Sequence, residues 1–134
     1  MKTIIDYRTE TLILLGDTAG RRYSETQLDT AIRLALEMTK KYLPNKDTIQ
    51  GLDGSQTTMV PEELFLTVCT GAAGYALQIR ARSVTEVFGK RTEDTQHLTE
   101  QGRHLETQFL AALDFAAFEA SLQHDPWPGP GFPI

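Results

Sequence analysis

The chain has a single cysteine, Cys69, among 134 residues. That excludes an internal disulfide and any zinc site built on several thiolates. Basic residues are in the minority, 13 Lys and Arg against 18 Asp and Glu, for a formal net charge of −5. A free nucleic-acid binder draws its phosphate affinity from clustered Lys and Arg, so this balance counts against one. No apolar run approaches the ~20 residues of a membrane span. Met1-Lys2-Thr3-Ile4-Ile5 meets Asp6 before a signal-like apolar core can form, so no secretory signal is expected. Catalytic signatures are missing as well. Gly16 and Gly20 lack the preceding strand and the following Gly-Lys of a phosphate loop. His97 and His104 stand seven apart, not at the four-residue spacing of helical metal ligands, and read as solvated. No enzymatic activity, metal or cofactor is expected.

What is present suits one soluble domain. Hydrophobic residues make up 40% and charged residues 23%, and folding at this length removes roughly two-thirds of the unfolded surface from water. The patterning predicts an all-α fold, a small bundle of about four helices over residues 1–122. The first helix is expected from Asp6, as N-cap, to Leu15, ending at Gly16 and Gly20, where positive φ is free. The second has the sharpest signature. Ser24 caps it with Gln27 three residues on, as in a capping box. Leu28, Ile32, Ala35, Leu36 and Thr39 form one apolar stripe. Asp29, Arg33, Glu37 and Lys41, each four apart, read as an exposed ladder of opposite charges. Tyr42-Leu43-Pro44 ends it.

Residues 45–60 read as a long polar connection, either mobile or an interaction surface, with Gly51, Leu52, Asp53, Gly54 and Ser55 as its turn. Thr57 to Val60 could extend and pair with a strand of another chain. Pro61 suits the first position of a third helix, which carries Phe65, Val68, Cys69, Ala72, Tyr75, Ala76 and Ile79 inward. Gly within a helix costs ~1 kcal/mol relative to Ala, so Gly71 and Gly74 imply a close neighbouring helix. Arg80 and Arg82 are expected to end it, with a separate turn at Val84, Val87 and Phe88. A fourth helix from Thr92 or Asp94 to Leu122 carries a heptad-like seam of Leu98, Gly102, Leu105, Phe109, Ala112 and Ala116. Leu113, Phe115 and Phe118 broaden its apolar surface. Cys69 falls on the inward stripe, and a packed thiol is expected. The basic clusters, Arg21-Arg22 and Arg80/Arg82 with Lys90-Arg91, sit at connections or helix ends, where capping and ion pairing are expected; contact with an acidic partner surface or with DNA passing nearby is the alternative.

Residues 123–134 differ from the rest. They hold four of the six prolines and the only tryptophan. Proline excludes a helix here. Trp127, Phe132 and Ile134, on an arm stiffened by Pro126 and Pro128, have the character of a docking peptide. The alternative is an arm that folds back over the apolar end of the last helix around Phe115 and Phe118.

Several of these elements together resemble a known family. Leu12-Ile13-Leu14-Leu15-Gly16-Asp17, Arg21-Arg22-Tyr23-Ser24, then Leu28, Ala31-Ile32 and Ala35-Leu36 resemble the N-terminal half of tailed-phage head–tail adaptor proteins. Their opening is a short helix, a Gly-Asp turn, an aromatic-Ser cap and a second helix closing at Tyr-x-Pro, here Tyr42-Leu43-Pro44. Pro61-Glu62-Glu63-Leu64, the small-residue run Gly71 to Ala76 and a Gln- and Glu-rich last helix with Phe109 are similar too. The resemblance spans about residues 5 to 118. It implies a structural virion protein at the neck, made in the host cytoplasm. Such adaptors form a ring, usually twelvefold, beneath the portal protein. They extend the DNA channel and give the tail or a stopper protein a docking surface. The partners implied are the portal, neighbouring adaptor subunits through the 45–60 loop, and DNA that passes without sequence-specific binding. An acidic balance suits a channel wall. A helical regulator binding DNA or a protein is the competing expectation.

Overall fold

The computed structural model describes the backbone of residues 1–88 and 93–124, and the side chains of 1–84 and 95–122. Four α-helices follow in order: α1 (Ile4–Leu15), α2 (Glu25–Tyr42), α3 (Phe65–Phe88) and α4 (Glu93–His124), with one 3₁₀ turn, Glu62–Leu64, ahead of α3. The fold is all-α, as expected. Among the described residues the only β pairing is an isolated parallel bridge between Thr3 and Gln50.

Local signals explain most of the boundaries. Ser24 N–H donates to Gln27 Oε1 at 2.9 Å, and Gln27 N–H returns to Ser24 Oγ at 3.2 Å. This reciprocal pair satisfies donors that the first turn leaves free. At α1 the expected cap moves by three residues. Thr3 is the N-cap, and Asp6, expected there, is its partner inside the helix, accepting from Thr3 N–H at 2.8 Å. Gly16 ends α1 at φ 70°, a left-handed conformation that glycine adopts without strain.

The C-terminal half departs further from expectation. Helix α3 does not stop at Arg80 or Arg82 but continues unbroken through Val84 to Phe88. No Gly or Pro interrupts 81–88, so nothing in the chain stops it. Helix α4 runs two residues beyond Leu122, to His124, so Gln123 and His124, expected in the arm, are helical. Pro61 precedes the 3₁₀ turn rather than opening an α-helix, with Leu64 N–H donating to its carbonyl at 2.9 Å.

Helix α3 is central and packs against α4, α2 and α1. Leu28, Ile32, Phe65, Val68, Ala72 and Phe109, all expected in the core, are buried; Leu105 is only half-buried. Tyr7 packs edge-on against Phe65 with ring centroids 4.8 Å apart. The two glycines of α3 have the reason inferred for them. A Cβ at Gly74 would stand 2.8 Å from Gly102 O, and one at Gly102 would stand 2.7 Å from Gly74 O. At Gly71 a Cβ would fall 2.6 Å from the Phe109 ring. The α3–α4 crossing is backbone on backbone, closer than any side chain permits.

The 45–60 connection is folded onto the domain on one side and exposed at Gly51, Asp53 and Gly54 on the other. Ile49, Leu52 and Val60 are core residues, and hydrogen bonds close the segment on itself: Leu52 N–H to Ile49 O, Ser55 N–H to Leu52 O and Gly51 N–H to Ser55 O. It is tied to α1 by Ile4 N–H donating to Gln50 O at 2.9 Å and by Thr58 Oγ1 donating to Lys2 O at 2.6 Å. Thr57 to Val60 therefore forms no free strand. Met59 N–H already donates to Thr48 O of its own chain.

Candidate functional site

The charged residues of α2 were expected to pair with each other; two of them instead join separate elements. Arg8 of α1 donates through Nε and Nη2 to the two Asp29 carboxylate oxygens, both at 2.8 Å. Arg33 reaches Asp53 of the 45–60 loop, with Nε 3.0 Å from each oxygen. This Arg33 contact holds the Asp53 carboxyl below the usual carboxylate range. Paired in this way, Arg33 and Asp29 serve the tertiary fold, and α2 presents no free basic row to a phosphate backbone.

Asp17 organises the turn before α2. Its carboxylate accepts backbone N–H bonds from Arg21 at 3.1 Å, Arg22 at 2.8 Å and Tyr23 at 3.1 Å. Burial opposes ionisation, but the three N–H donors and the Arg22 charge outweigh it, so the carboxyl sits below its ordinary value. Arg80 of α3 clips the same turn, donating to Arg22 O at 3.2 Å with its guanidinium over the Tyr23 ring. The Gly-Asp turn and α3 at Arg80 are thus one structural joint. Lys90 and Arg91 lie outside the described residues.

Among the described residues, no three His, Cys, Asp or Glu side chains are grouped to hold a metal, and no helix is long and apolar enough to cross a membrane. His97 and His104 are exposed. Cys69 is buried, and burial pushes its thiol up to about 12. Its Sγ faces Tyr7 O at 3.8 Å. A thiol so hard to ionise is a poor nucleophile.

The surface that stands out is the last third of α4. Phe115 is 63% exposed, Phe118 61% and Leu122 58%. With Ala111 they recur at four, three and four residues, a second seam beside the one turned to α3. Phe115 forms a wall between two depressions. One, about 530 Å³, runs between α4 at Ala116 and Ala120 and the Leu43, Pro61 and Leu64 side of the bundle. The other lies between Phe115 and Phe118. Monomeric proteins rarely leave contiguous large apolar side chains uncovered, and such patches mark interaction sites. The sequence pattern marks Phe115 and Phe118 only as extra apolar surface. Helical periodicity cannot say which of two adjacent seams meets α3.

The residues expected to contact partners fall in two places. Gly51, Asp53 and Gly54 are exposed and Ser55 is half-buried, so a neighbour can reach them. Leu52 turns inward and is 4% exposed, which places its side chain in the core. Pro126, Trp127, Pro128, Phe132 and Ile134 lie outside the described residues. Comparison of the chain with protein-family models, with curated proteins and with solved structures finds no match.

Proposed function

We propose that the chain is a structural adaptor of a tailed-phage virion. In this reading its copies form a ring beneath the portal, extend the DNA channel and present a docking surface to the tail or a stopper protein. The observation that carries the reading is the uncovered apolar end of α4 on a domain whose core is already filled. A domain with an exposed Phe115–Phe118–Leu122 stripe is suited to bind other proteins. The family resemblance then supplies the kind of partner. The arm residues Pro126, Trp127, Pro128, Phe132 and Ile134 serve as portal anchors, since aromatic side chains bury much area with few rotatable bonds. The exposed part of the Gly51–Ser55 turn faces a ring neighbour. DNA passes without base-specific contact, consistent with the acidic balance. The competing reading, a helical DNA-binding regulator, is weakened by the engagement of Arg33 with Asp53 and of Asp29 with Arg8.

The test is co-migration with the portal protein from the same genome. Purified chain mixed with purified portal is expected to shift into the portal fraction on a sizing column and to add a ring in electron micrographs. Absence of any shift at micromolar concentrations, together with intact necks in virions that lack the chain, would overturn the assignment.

A further inference from the structure

We propose that in the free chain residues 125–134 dock onto their own molecule, along the groove beside Phe115, so that a partner must displace them to use that surface. The latch itself stands without the adaptor reading; only the identity of the displacing partner rests on it.

The groove begins where the arm does. It runs along α4 from Ala112 to Ala120 and the helix ends at His124. At ~1.5 Å per helical residue, His124 to Ala112 spans about 18 Å. The sequence signal for a helix end follows at once, since the residue before Pro126 is biased away from the α region. If the chain reverses there, the eight residues from Trp127 cover about 25 Å at ~3.1 Å each. The arm is therefore long enough to line the groove from end to end.

Size also favours this occupant over a second copy of the domain. Phe115, Phe118 and Leu122 together leave roughly 300–400 Å² of apolar side chain open. A stable dimer needs about 800 Å² from each partner. A short segment with three apolar anchors fits the smaller figure. Proline-rich segments lose little freedom on docking and favour aromatic-walled grooves, and Phe115 supplies such a wall. Tethering adds an effective concentration in the millimolar range, so a weak contact suffices.

The only tryptophan is in the arm, which makes the test direct. In the full chain, Trp127 emission should be shifted to the blue and its acrylamide quenching reduced several-fold against a free tryptophan, with no change on dilution. Phe115→Ser should move emission and quenching toward the free values. The side chain is mostly exposed, so the far-ultraviolet circular dichroism should stay unchanged. Should that variant lose helicity, Ala120→Arg, which fills the groove from α4, provides the same readout. A fully solvated Trp127 in the unaltered chain would overturn the proposal. So would protection that persists in every folded variant, or protection that fades on dilution, which would place the arm on another copy. Failure to bind a portal would leave these optical results unchanged, so the two readings fail separately.

Discussion

Replacing Gly102 with alanine sets two known effects against each other. On an exposed helix Gly→Ala stabilises by about 1 kcal/mol, because alanine loses less backbone freedom on folding. Here the new Cβ would stand 2.7 Å from Gly74 O, 2.8 Å from Gln78 Cγ and 3.2 Å from Leu77 Cβ. Gln78 can swing aside, but the carbonyl belongs to the α3 backbone and moves only if the helices separate. Overpacking of this kind costs typically 1–3 kcal/mol, and a clash with backbone belongs in the upper part of that range. The expected net change is a loss of about 1–2 kcal/mol, or a Tm lower by roughly 3–8 °C for a chain of this size. Gly74→Ala should behave alike, since its Cβ would meet Gly102 O at 2.8 Å and Glu106 N at 3.0 Å. Once one substitution has parted the helices the second meets more room, so the double variant should lose less than the sum. Urea and thermal denaturation followed by circular dichroism measure all three. A Gly102→Ala protein stabilised by 1 kcal/mol, or strictly additive losses, would refute the close crossing.

Three further perturbations test other parts of the structure. Phe109→Ala, which removes a 1% exposed ring packed under Gly71, should cost ~3–5 kcal/mol, and a urea-derived loss under 1 kcal/mol would contradict that packing. Among the described residues Thr11 Oγ1 is buried with no better partner than the weakly bonding Cys69 thiol, and a poorly satisfied buried hydroxyl costs ~1–3 kcal/mol; Thr11→Val should therefore leave stability equal or higher, and a clear drop in Tm would show that the hydroxyl has a use. Asp17 titrates below its ordinary value of 3.8, so its contribution is fully present above about pH 4 and is lost as pH falls through the lowered folded value. The Tm gap between the natural chain and Asp17→Asn should be widest near neutral pH and close in acid; a gap that does not vary with pH would remove Asp17 as the carboxylate that holds the turn.

Short-range signals were legible in the sequence, and long-range partnerships were not. Ser24 and Gln27 lie three residues apart and announced their cap. Gly71 and Gly74 stood out because glycine in a helix needs a reason, and the reason was another backbone. Asp29 and Arg33 misled because helical spacing offered them local partners, whereas their real ones, Arg8 and Asp53, are 21 and 20 residues away. Ile49 and Leu52 were hidden for a related cause. Isolated apolar residues in a polar stretch carry no period, and only the fold shows that they join the core. The candidate docking surface was half visible: Phe115 and Phe118 were noticed, but their exposure depends on Leu113 and Ala116 taking the inward side of α4.

The central claim is that the uncovered end of α4 is a protein-binding surface in a phage neck. Electron cryomicroscopy of intact virions tests it most directly. The account predicts a ring of this four-helix domain directly beneath the portal, with Phe115, Phe118 and Leu122 covered by a neighbouring chain. A neck without the domain, or a ring in which that stripe faces open solvent, would contradict it.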